Sequence, residues 1–146
     1  MLVRNELFQP IELSAIVNDI TNEYHANPNV SVSEDEAMNA LAQLYYQSNL
    51  IANRHFFQNA AYAMPEAEKA LTNRRSVKQL FEDIKQRFCQ QYPTAEDLED
   101  TADNIARIIA DIIATVISGA VIIKPLLKVI LFFFMGLTHK AICKAS

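Results

Sequence analysis

Only two glycines, Gly119 and Gly136, occur among the 146 residues, and this scarcity restricts the fold more than any other feature. Soluble chains use about 7% glycine. Tight β-hairpins, phosphate-cradling loops and dinucleotide-binding turns need residues that accept positive φ, and glycine is the usual one. The chain has no G-x-G-x-x-G and no Walker A sequence. What remains is an all-α fold, expected as one domain over residues 1–146: a bundle of five or six helices. A chain of this length can bury a core without a metal or disulfide.

Helix starts are recognisable as hydroxyl residues three positions before an acid or amide: Ser33 to Glu36, Ser76 to Gln79 and Thr94 to Asp97. A first helix is expected from Pro10 to about Ala26, because Leu13, Ile16, Val17, Ile20 and Tyr24 form one stripe at helical spacing. A second runs from Ser33 through Leu41, Leu44 and Phe56 towards Met64, and propensity does not decide whether it breaks at Ser48-Asn49. A third follows Ser76 with Val77, Leu80, Phe81, Ile84 and Phe88 on one face, stopped by Pro93. From Thr94 a fourth is expected, its polar stripe including an Asp103–Arg107 pair at i, i+4.

Beyond residue 104 the chain turns apolar and cationic, with Arg107, Lys124, Lys128, Lys140 and Lys144 against the single acid Asp111. Its longest uncharged stretches, Ile112–Ile123 and Val129–His139, are twelve and eleven residues. A helix crossing a bilayer needs about 20. Joined into one span, they would place Lys124 and Lys128 near mid-membrane at roughly 2.5–3.5 kcal/mol each. A helical hairpin fits better, with arms 105–123 and 126–143 of about 28 and 27 Å. It would turn at Lys124-Pro125 and lie at the core of the bundle, with Gly119 and Gly136 allowing close helix approach. The 94–146 region is thus an apolar hairpin in which Ile112, Ile113, Val116, Phe132, Phe133 and Phe134 meet either the protein's own core or a membrane.

Little in the sequence points to catalysis. His25, His55 and His139 lie on separate segments without metal-binding spacing, and each is expected to be a surface or half-buried side chain. Cys89 and Cys143 belong to no C-x-x-C motif and are expected as reduced, packed thiols of an intracellular protein. The acids Glu96, Asp97, Glu99, Asp100 and Asp103 lack EF-hand or di-iron spacing and suit a solvated helix start. No catalytic residue, metal or cofactor is expected. A net charge of −4 argues against nucleic acid as a partner.

Two features suggest contact with another molecule. Tyr45, Tyr46, Phe56 and Phe57 spread aromatic area over more than one face of the second helix, suiting two-sided burial or a protein partner. Arg74 and Arg75, just before the expected cap Ser76, place cations near free helix amides. The expectation is a non-enzymatic, cytoplasmic helical module that binds a partner protein, with a second copy of itself as another candidate. The alternative is a membrane-associated or conditionally inserting protein acting through residues 105–143.

Overall fold

The computed structural model describes residues 1–27, 29–56, 74–97, 101–117 and 121–143, without the side chains of Asn53, His55, Phe56, Arg74, Arg75, Ser76 and Ala95. Among them lie a two-stranded hairpin, β1 (Leu2–Arg4) and β2 (Pro10–Glu12), and six α-helices. The helices are α1 (Leu13–Ala26), α2 (Glu34–Phe56), α3 (Arg74–Gln91), α4 (Ala102–Val116), α5 (Lys124–Met135) and α6 (His139–Cys143). The fold is a mostly helical bundle, as the sequence implies.

The hairpin is the first departure. Val3 pairs with Ile11 and Arg4 with Pro10, so Pro10 opens strand β2 instead of helix α1. The turn between the strands dispenses with glycine. Asn5 Oδ1 accepts the amides of Leu7 and Gln9 at 3.0 Å each, and Phe8 takes the positive φ, 60°. A bulky residue in the left-handed region costs of order 1–3 kcal/mol. Arg4 offsets part of that cost: its guanidinium lies 5.0 Å from the Phe8 ring centroid and donates to the Phe8 carbonyl.

Helices α1 and α3 follow their stripes. Leu13, Ile16, Val17 and Ile20 are buried, and Tyr24 packs edge-on against Phe132 at 5.2 Å between centroids. Val77, Phe81, Ile84 and Phe88 are buried on α3, with Leu80 half-buried. The Ser33 cap forms, its Oγ accepting the Glu36 amide at 3.1 Å and donating to the Glu36 carboxylate at 3.2 Å. Helix α2 continues through Ser48 and Asn49 without a break. Ser48 faces inward, fully buried, and its Oγ accepts the buried Val121 amide at 3.3 Å.

Helix α4 starts later than the sequence suggests. Thr94 and Asp97 form only a 3-10 turn (Ala95–Asp97), the Asp97 carboxylate accepting the Thr94 amide and hydroxyl. The effective cap is Thr101, whose Oγ accepts the Asn104 amide at 3.3 Å. Arg107 donates to Asn104 instead of pairing with Asp103, and Asp103 meets His25 of α1 at 2.7 Å.

The apolar hairpin exists in shortened form. Its first arm ends at Val116, and ahead of the second arm Ile122 donates to the Arg4 carbonyl at 2.7 Å as Val121 bridges β1 in parallel. The β-branched run Val121, Ile122 and Ile123 suits that strand-like geometry better than a helix. Lys124 and Pro125 therefore open α5, where proline's fixed φ is favourable, and do not form the turn. Arms α4 and α5 measure about 22 and 18 Å. They pack on each other, while α2 and α1 cover α5 and α1 and α3 cover α4. Phe81 of α3 stacks on Phe134 with centroids 5.5 Å apart. Gly136 caps α5 at an ordinary helical φ of −79° on the exposed surface, so it mediates no close helix approach, and Gly119 lies outside the described residues.

Candidate functional site

Burial of the hairpin side chains is decided residue by residue. Ile112, Ile113, Phe132 and Phe134 are buried among the other helices, and Val116 and Phe133 are half-buried. Two of the lysines behind the cationic bias of this region, Lys124 and Lys128, face α1. Lys124 Nζ lies 3.6 Å from Asp19 and Lys128 Nζ lies 3.7 Å from Glu23, with Lys128 also 5.4 Å from the Phe132 ring centroid. Among the described residues no helix is long and apolar enough to cross a membrane.

The residues expected to meet a partner separate. Phe57 lies outside the described residues, as do the side chains of Phe56, Arg74 and Arg75. Arg74, Arg75 and Ser76 all lie within α3, so Ser76 is not its cap. Tyr45 and Tyr46 are half-buried, within a stretch of α2 from Leu44 to Ala52 that is buried or half-buried all round. For Tyr45 and Tyr46, two-sided burial thus accounts for most of the aromatic pattern.

Tyr45 nonetheless reaches an opening. With Leu80, Val116, Gln79 and Asp83 it lines a groove of about 340 Å³ where α2, α3 and α4 meet. Tyr45, Leu80 and Val116 give it an apolar floor, and Gln79 and Asp83 give it a polar rim. Asp83 also receives the Arg87 guanidinium at 3.1 Å, one turn further along α3. Lys85, on the neighbouring flank, is held by Glu34 at 3.4 Å and Glu82 at 3.7 Å and lies over Phe81, which fixes α3 against the start of α2. The groove falls in the size range of small-ligand and side-chain pockets, about 300–1,000 Å³. A second cleft, between Arg87, Tyr92 and Asp111, is only about 120 Å³.

The other concentration of chemistry is at the C-terminal end of α3, and it overturns two expectations. Cys89 and Cys143 are not reduced thiols: they form a disulfide, with Cα atoms 5.8 Å apart. His139 is not a surface residue but is buried. Its Nε2 bonds the Tyr92 carbonyl and lies 3.8 Å from Cys143 Sγ, while its ring packs 5.5 Å from that of Phe88. The 54-residue separation of the cysteines carries no local signal. His139 and Cys143, one turn apart at i, i+4, were the legible half of the cluster. Among the described residues no group of three His, Cys, Asp or Glu side chains is placed to hold a metal ion.

No family model, curated protein or solved structure matches the chain.

Proposed function

We propose that the protein is a non-enzymatic helical module that binds another protein through the groove floored by Tyr45, Leu80 and Val116. The observation that supports this reading is the convergence of half-buried apolar area from three helices beneath a polar rim of Gln79 and Asp83. That combination suits an amphipathic helix, which seats one or two apolar side chains and hydrogen-bonds at the margin. A tyrosine floor adds contact area and a hydroxyl for orientation.

The proposal departs from the sequence expectation in one respect. The cytoplasmic setting rested on reduced thiols, whereas a disulfide closing so long a loop is the kind of bond that persists in oxidising compartments. Conditional membrane insertion is the weaker reading, because it would have to part α4 and α5 from three covering helices and break the Lys124–Asp19 and Lys128–Glu23 pairs.

The test uses a photoactivatable side chain at Gln79, an exposed rim position. It should capture one protein, and Tyr45→Ala or Leu80→Arg should abolish that capture while the circular dichroism spectrum is retained. Capture unaffected by both substitutions would sink the proposal. Capture of a second copy of the chain would assign the groove to self-association.

A further inference from the structure

We propose that the Cys89–Cys143 disulfide is a directional thiol-exchange site, in which a low-molecular-weight thiol attacks Cys89 and Cys143 leaves as a thiolate stabilised by His139. A carbonyl oxygen can only accept, so the contact with Tyr92 requires that His139 Nε2 carry hydrogen. That same Nε2 faces Cys143 Sγ at 3.8 Å, one helical turn away. The burial of His139 and its packing on Phe88 hold this geometry in place.

Exchange rates depend on which sulfur is attacked, on its access and on how well the other sulfur carries the departing electron pair. Access does not separate the two here, since Cys89 and Cys143 are both half-buried. The departing charge does: the His139 Nε2–H adjoins Cys143, shared with the Tyr92 carbonyl, and among the described residues no side-chain donor is found at Cys89. In the first step the thiolate of the reductant forms a bond to Cys89 Sγ as the Cys89–Cys143 bond breaks, and the electron pair passes to Cys143 Sγ. A second reductant thiolate then attacks the sulfur of the bound reductant. Cys89 leaves as a thiolate, and the reductant departs as its own disulfide, two electrons having been transferred. The product frees α6, a single turn of helix that packs chiefly on α3 and contributes the buried Ile142.

The test uses full-length oxidised protein, treated briefly with glutathione, quenched with N-ethylmaleimide and mapped by peptide mass spectrometry. Adducts should carry glutathione on Cys89 and N-ethylmaleimide on Cys143, in excess over the reverse pattern by about tenfold, the lower end of what a hydrogen bond to a charged group supplies, because the N–H is shared with the Tyr92 carbonyl. Equal labelling, or glutathione mainly on Cys143, would overturn the proposal. His139→Phe keeps a ring beside Phe88 but removes the donor, and should slow exchange and bring the two patterns towards equality. An unchanged bias in that variant would also overturn it. If His139→Phe does not fold, the wild-type labelling pattern decides alone. Two alkylatable thiols in protein purified without reductant would show that the disulfide itself does not form.

Discussion

Replacing Ser48 by alanine tests how the extended segment after α4 is fastened to the bundle. The Ser48 hydroxyl is fully buried in mid-helix and accepts the amide of Val121, which is also fully buried. Removing it leaves that amide without its partner away from water, a loss of about 1–3 kcal/mol. Alanine is the better helix former by about 0.5 kcal/mol, which opposes the loss. The net expectation is a destabilisation of about 0.5–2.5 kcal/mol. For a chain of this length the unfolding entropy near Tm is about 0.3 kcal/mol per kelvin, so Tm should fall by roughly 2–8 °C. Urea unfolding should show a lower midpoint at unchanged slope, because the surface exposed on unfolding is unaltered. Hydrogen exchange at the Val121 amide should quicken in the same variant. A Ser48→Ala protein as stable as the parent, with Val121 still protected, would refute the reasoning.

Further expectations follow from the same packing. Replacing both Cys89 and Cys143 by alanine removes a cross-link over a sequence separation of 54, worth about 4 kcal/mol by loop-closure entropy, and a thermal melt showing no loss would contradict that linkage. Phe81→Ala, at a fully buried ring stacked on Phe134, should cost about 3–5 kcal/mol in urea unfolding. Phe8→Val places a β-branched residue at φ 60° and should destabilise the protein by about 1–2 kcal/mol in the same assay, whereas Phe8→Gly should be close to neutral. Lys124→Glu with Lys128→Glu sets like charges against Asp19 and Glu23 and should lower stability by about 1 kcal/mol, recovered by Asp19→Lys with Glu23→Lys.

Parts of this fold that depend on near neighbours were legible in the sequence. The stripes of α1 and α3 and the Ser33 cap need only residues within a few turns, and each stands where periodicity puts it. Features set by distant partners were not. Pro10 enters a strand because Leu2–Arg4 returns beside it, and Asp103 turns from Arg107 to His25 because α1 crosses there. Val121 and Ile122 lie strand-like beside β1 because Arg4 and Ser48 supply their hydrogen bonds, from positions remote in sequence. The disulfide is the extreme case, since two isolated cysteines show nothing of each other until α3 and α6 are packed. For the groove, Tyr45 stands out in the sequence as an aromatic and Val116 as part of the apolar hairpin, and only the tertiary fold brings them together with Leu80.

Helices α4 and α5 form the protein's own core, covered by α1, α2 and α3. Amide hydrogen exchange, followed with and without vesicles of anionic phospholipid, tests this most directly. Residues 108–113 and 130–134 should exchange only through global unfolding, at rates the vesicles do not alter. Vesicle-dependent changes in those two segments, with protein retained on the membranes through an alkaline wash, would contradict the account and make the apolar hairpin the working part of the molecule.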